Sequence, residues 1–174
     1  ISVTGVQTCA LPIYQQTVTI PAGYNTFSAY LKYTNNRWIN LRLYDGTNTF
    51  YACFDMLNGV LGATTAGVTA TINPASNGWY RCTVGATCVA GTGGGLICIN
   101  SSNSASLDSF SAAGTESIQI WGAQLETGTV ASAYTATTSA VVATINDIYL
   151  PNGAVRNSTW NQGTGSLQIA GNTS

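Results

Sequence analysis

Apolar residues in this chain recur at every second position in short runs, and no window sustains the 3.6-residue spacing of an amphipathic helix. Period two is the period of a strand with one buried face. Such runs occupy residues 14–20, 26–33, 37–44, 49–56, 68–72, 79–89, 96–100 and 117–125. Turn formers close them: Pro21-Ala22-Gly23, Asn35-Asn36, Asp45-Gly46, Asn58-Gly59 and the stretch 73–78. Asp-Gly between two alternating runs predicts a hairpin. Gly91-Thr92-Gly93-Gly94-Gly95 reads as a flexible connection, and the Ser- and Ala-rich stretch 101–114 as a long loop. About eight short strands with frequent turns predict an all-β fold, an antiparallel sandwich or barrel.

Alternation also sorts side chains onto faces. Phe27, Ala29, Leu31 and Tyr33 share one side; so do Ile39, Leu41 and Leu43, and again Tyr80, Cys82 and Val84. The opposite positions mix rings with polar groups: Tyr30, Lys32, Trp38, Asn40, Arg42, Tyr44, Arg81 and Gln119. Read together they form one polar-aromatic face. Sugars present apolar C–H faces rimmed by hydroxyls, so flat rings beside planar hydrogen-bonding groups suit a glycan. These eight are the candidate ligand-binding residues. Tyr30, Arg42 and Tyr44 read as the open members, whereas Trp79 and Trp121 read as structural. A strand Trp is more often core than platform, so the face competes with a purely structural reading.

Charge removes several function classes. Only 6% of residues are charged and the formal net charge is -1, against about 25% charged residues in ordinary soluble domains. Lys32, Arg37, Arg42, Arg81 and Arg156 form no run, which argues against nucleic acid. No stretch reaches the roughly 18 apolar residues of a membrane span, so membrane insertion is not expected. The chain has no His, which removes Ser-His-Asp and Cys-His catalysis. Asp45, Asp55, Asp108, Glu116, Glu126 and Asp147 are scattered, and nothing pairs two of them as glycoside hydrolysis requires. No enzyme is expected. Gly91 to Gly95 lacks the Lys-Ser/Thr of a phosphate loop. Cys53, Cys82, Cys88 and Cys98 make no CxxC pair; two disulfides in three pairings compete with reduced, buried thiols, and the second reading is preferred.

Three segments carry a resemblance to a known family: Phe27-Ser28-Ala29-Tyr30-Leu31-Lys32, Asn77-Gly78-Trp79-Tyr80-Arg81-Cys82, and Ile120-Trp121-Gly122-Ala123-Gln124-Leu125-Glu126-Thr127-Gly128 followed by Ser132-Ala133-Tyr134. In order and spacing they resemble the jelly-roll domain of phage tail-fibre and head-spike structural proteins, itself similar to carbohydrate-binding modules of glycoside hydrolases. The usual Ile-Pro-Thr-Thr ending is replaced by Thr135-Ala136-Thr137-Thr138. The resemblance covers residues 14–139 and implies a jelly-roll sandwich in a virion or extracellular accessory module. By analogy it also implies self-association as a trimer within a larger protein. It implies glycan or host-surface recognition, a purely structural role between virion subunits, or an accessory role to a larger depolymerase. Related modules carry a structural Ca²⁺, the one cofactor left open, although no Asp/Asn cluster here suits it clearly. Residues 1–13 resemble translated sequencing-adapter read-through, as found in metagenomic assemblies, and are expected to be foreign to the fold. Residues 140–174, with Asp147 to Pro151 and Trp160 to Leu167, resemble the opening strands of a following laminin-G or concanavalin-like domain, which would here be a fragment.

Overall fold

The structure, a computed structural model, describes residues 13–106 and 116–136 and the strands Ile145–Tyr149, Val155–Asn161 and Ser166–Ile169. The leader at 1–13 lies outside the described residues except for Ile13. The chain divides into two compact units, Ile1–Tyr134 and Thr135–Ser174. The first is an antiparallel β-sandwich. Its strands are β1 (Ile13–Ile20), β2 (Gly23–Tyr33), β3 (Trp38–Tyr44), β4 (Thr49–Asp55), β5 (Val60–Thr64), β6 (Thr69–Pro74), β7 (Trp79–Cys88), β8 (Gly91–Asn100) and β9 (Ile118–Thr127). One sheet has the order β1-β8-β3-β4-β5 and the other β6-β7-β2-β9. The second unit holds a separate antiparallel sheet of β10 (Ile145–Tyr149), β11 (Val155–Asn161) and β12 (Ser166–Ile169), with Trp160 opposite Leu167.

The aliphatic rows predicted from alternation form the core. Phe27, Ala29 and Leu31 from β2, Cys82 and Val84 from β7, Ile39, Leu41 and Leu43 from β3, and Ile97 and Ile99 from β8 are all buried together. Each buried Leu, Ile or Phe side chain contributes about 1.5–3 kcal/mol of transfer free energy. Period two then sends every intervening residue to the outer side of its sheet.

One sequence reading is overturned here. Gly91 to Gly95 is not a flexible connection: it opens β8, which pairs with β1 and β3 at once. A Cβ on Gly93 would overlap the Tyr44 carbonyl oxygen, and one on Gly95 the Phe27 ring. Glycine is there because backbone and core press against this strand, and pairing on both sides overrides its low strand propensity. The short edge strand β5, after Asn58-Gly59, was not foreseen. The Asp45-Gly46 hairpin joins β3 to β4 as expected, with the Asp45 N–H donating to the Asn48 carbonyl at 3.2 Å.

Two loops on the five-stranded sheet are held by the same device. In Asp45-Gly46-Thr47-Asn48 the buried Asp45 carboxylate accepts from the N–H groups of Thr47 (2.9 Å) and Asn48 (2.6 Å), from Asn48 Nδ2 (3.0 Å) and from the Val89 N–H (2.9 Å). In Asp55-Met56-Leu57-Asn58 the buried Asp55 accepts from the Leu57 and Asn58 N–H groups (both 3.2 Å), from Asn58 Nδ2 (2.8 Å) and from Arg37 Nη2 (2.7 Å). Burial pushes the Asp45 carboxyl up, but its hydrogen bonds prevail and hold it at about 2. The Arg37 hydrogen bond leads in holding Asp55 at about 2, against an upward push from burial.

Candidate functional site

The eight candidate residues do not share a face. Trp38, Asn40, Arg42 and Tyr44 lie on the outer side of the five-stranded sheet, whereas Tyr30, Lys32, Arg81 and Gln119 lie on the outer side of the four-stranded sheet. Each strand alternates correctly, but alternation cannot say which sheet a strand joins, and two outer faces read alike.

The first group is largely engaged within the fold. Asn40 is completely buried, and its Nδ2 donates to the carbonyls of Ser104 (3.0 Å) and Ser106 (2.7 Å). Asn100 Nδ2 donates to the same two carbonyls at 3.2 and 2.9 Å. Residues 101–106 are thereby drawn over the sheet. Tyr44 donates its hydroxyl to the Gly46 carbonyl at 2.7 Å, and the Arg42 guanidinium sits 5.4 Å from the Tyr44 ring. Arg37 lies 4.7 Å over the Trp38 ring. Asn40 is therefore a loop anchor, not a ligand contact. Cys53, Cys82, Cys88 and Cys98 are all buried thiols, and burial pushes Cys82 and Cys88 up, away from thiolate chemistry.

The second group belongs to an ordered array. Strand register sets three rows across the four-stranded sheet, from β6 through β7 and β2 to β9: Asn73, Arg81, Tyr30, Trp121; then Thr71, Thr83, Ser28, Gln124; then Thr69, Gly85, Thr26, Glu126. In the first row the Arg81 guanidinium lies 5.5 Å from the Tyr30 ring, and Tyr30 lies 4.9 Å from Trp121. Lys32 stands beside it, between Trp79 and Gln119. Trp121, expected to be structural, is 51% exposed. In the second row the Thr71 and Thr83 hydroxyls are 2.8 Å apart, and Asn73 Nδ2 donates to Thr71 Oγ1 at 3.2 Å.

The third segment of the family resemblance gains a physical meaning here. Gly122, at φ 59, carries an irregularity in the β2–β9 ladder, so Trp121 and Gln124 both face outward although three residues apart. Beyond β9 the chain turns back. Thr26 Oγ1 donates to the Gly128 carbonyl at 2.7 Å, and Gln124 Nε2 donates to Ser132 Oγ at 3.0 Å. The Ser132 hydroxyl and N–H both donate to the Glu126 carboxylate. Tyr134 then stacks on Trp121 at 4.5 Å. Gln124, Glu126, Ser132 and Tyr134 thus clasp the returning chain to the sheet. Burial raises the Glu126 carboxyl, but the Ser132 and Gln124 hydrogen bonds, with nearby Arg81, outweigh it and hold the group below its usual range.

Between the clasp and β6 runs an open groove of about 240 Å³. Thr26, Thr69, Thr71, Thr83, Asn73 and Arg81 form its floor and far side, and residues 129–131 its near wall. Gly85 leaves the floor low, because a Cβ there would meet the Tyr24 ring and Thr26 Oγ1. The groove is lined by threonines, one amide and one guanidinium together with Gly85, Val130 and Ala131, and in the register Tyr30 stands next to Arg81. The carboxylates of Asp45, Asp55 and Glu126 are each occupied in holding their own loops. Among the described residues no cluster of three His, Cys, Asp or Glu could hold a metal, and no helix is long and apolar enough to cross a membrane. Sequence reasoning missed Asn73, Thr71, Thr83, Trp121 and Tyr134; the alternation that puts Thr71 and Asn73 on one side of β6 was the available signal for two of them. Neither a scan against protein-family models nor a search of curated proteins returns a match to this chain.

Proposed function

We propose that this chain is a non-catalytic, carbohydrate-binding-like jelly-roll module of a phage virion protein, such as a tail fibre or spike, exposed at the particle surface. Its ligand is a glycan bound along the groove of the four-stranded sheet. The jelly-roll reading is supported by the path of the chain, which changes sheet between β1 and β2, β2 and β3, β5 and β6, β7 and β8, and β8 and β9. One observation carries the ligand reading: the row Asn73, Arg81, Tyr30 and Trp121, in which a half-exposed indole adjoins directional hydrogen-bonding groups beside a hydroxyl-lined groove. Rings supply stacking area and the amide, guanidinium and hydroxyls supply orientation. On this reading the unit at 135–174 opens a following lectin-like domain, and the assembled protein is a trimer.

The test is a glycan array probed with the whole chain and with Trp121→Ala. Binding by the parent and its loss in a variant that still unfolds cooperatively, only a few degrees lower, is the expected result. A second reading, a structural module joining virion subunits without a sugar, is favoured by exposed Leu57, Val60 and Leu61 beside and on edge strand β5. No glycan binding, together with concentration-dependent self-association abolished by Leu61→Lys, would establish it instead.

A further inference from the structure

Resting on the glycan reading, we infer that the groove receives an acidic sugar, one bearing a carboxylate such as a uronic acid, and that Arg81 is the residue that takes the carboxylate. Among the described residues, Arg81 is the one charged side chain lining the groove. Its setting is that of a prepared cation. Ser28 Oγ accepts from Nη2 at 3.1 Å and fixes the side chain, while the Tyr30 ring lies 5.5 Å from the guanidinium. Its Nε–H is sealed from solvent and has no acceptor. The nearby Glu126 carboxylate keeps its charge and offsets part of the positive potential at Arg81, but its hydrogen bonds go to the Ser132 hydroxyl and N–H and not to the guanidinium. Lys32, two residues further along β2 on the same face, adds a second cation to this surface. A guanidinium held by one side chain and backed by a ring presents its fork to a planar carboxylate with little ordering left to lose.

The neighbouring groups fit the rest of such a sugar. The Thr71 and Thr83 hydroxyls and the Asn73 amide are exposed or half-buried donors and acceptors beside Arg81 in the register, placed to meet ring hydroxyls while the carboxylate lies on Arg81. A neutral sugar would satisfy the hydroxyl ladder but make no charge-paired contact with Arg81.

The experiment measures binding of the whole chain to alginate oligosaccharides, to the same oligosaccharides with their carboxyls reduced to alcohols, and to dextran sulfate. Binding to alginate, weakened about tenfold by carboxyl reduction and weakened by rising salt, is expected. Arg81→Gln should lose at least about tenfold in affinity for alginate and little for the reduced form. Because Arg81 is partly buried, Asn73→Asp serves as the second variant: Asn73 is exposed, so the fold is kept, and the new carboxylate opposite Arg81 should cost about as much binding. Equal affinity for the carboxyl-reduced sugar, or no effect of Asn73→Asp, overturns the acidic-sugar assignment and leaves glycan binding standing. Equal binding to dextran sulfate that survives both variants overturns it as non-selective ion attraction. Failure to bind any glycan on the array removes both readings together.

Discussion

The two outer faces of the sandwich begin from the same sequence pattern and end differently. On the five-stranded sheet, Trp38, Asn40, Arg42 and Tyr44 lie beneath or beside chain that folds over them, and residues 101–106 are pinned there by the amides of Asn40 and Asn100. On the four-stranded sheet, the returning chain 128–134 covers only the β9 side and leaves a groove along β6 and β7. Alternating polar and aromatic residues therefore mark an outward face without marking an open one. A short segment elsewhere in the chain decides whether that face meets solvent.

The largest way to break this contrast is through the buried aspartates of the covered sheet. Asp45→Ala strands the N–H groups of Thr47, Asn48 and Val89, and should cost about 3 kcal/mol in urea unfolding. A loss below about 0.5 kcal/mol, the range of ordinary surface changes, would refute the clamp. Acid tests the same feature. Asp45 and Asp55 titrate at about 2 in the folded chain, against about 3.9 when unfolded. A depressed folded pKa means that their contribution is complete above about pH 4 and is lost as pH falls from there towards 2. Asp45→Ala should flatten that part of the stability profile; an unchanged acid limb would show that other carboxyls govern it.

Asn40→Ala removes two hydrogen bonds to a covering loop at a fully buried site and should cost about 2 kcal/mol, whereas Asn73→Ala on the open face should lie within about 0.5 kcal/mol of the parent. Similar costs at the two positions would erase the distinction between the faces. Trp121→Ala comes next: losing its contacts with Tyr30 and Tyr134 should cost about 1 kcal/mol of stability while removing ligand binding. A local effect is expected from Ser132→Ala, about 0.5–1 kcal/mol, read most clearly as faster amide hydrogen exchange at residues 129–134 with β2 and β7 unchanged. Uniform acceleration across the sandwich would instead make Ser132 part of the global fold.

The core was the most legible part of the sequence. Leu31, Ile39, Leu41, Leu43, Cys82 and Val84 were assigned to the buried side by period alone, and each is fully buried. The site was legible only strand by strand. Tyr30, Arg81 and Gln119 were identified as outward, but that Arg81 stands opposite Tyr30 and Tyr30 opposite Trp121 is a matter of register between segments far apart in sequence. The glycine run of β8 was misread because its strand character comes from its two neighbours and not from its own residues. Trp121 was misjudged because a bulge at Gly122 and a stacked Tyr134 let an indole be held in place without being buried.

The clasp also has a mechanical side. The chain leaves the sandwich through Ser132 and Tyr134, so a pull applied at residue 135 loads those contacts first and peels them one at a time. Ladder bonds between β9 and β2 carry the load only afterwards. Single-molecule stretching should record a small, low-force lengthening ahead of sandwich rupture, and Ser132→Ala should lower that first step without changing the second. Because residues 129–131 are also the near wall of the groove, the same tension would widen that groove.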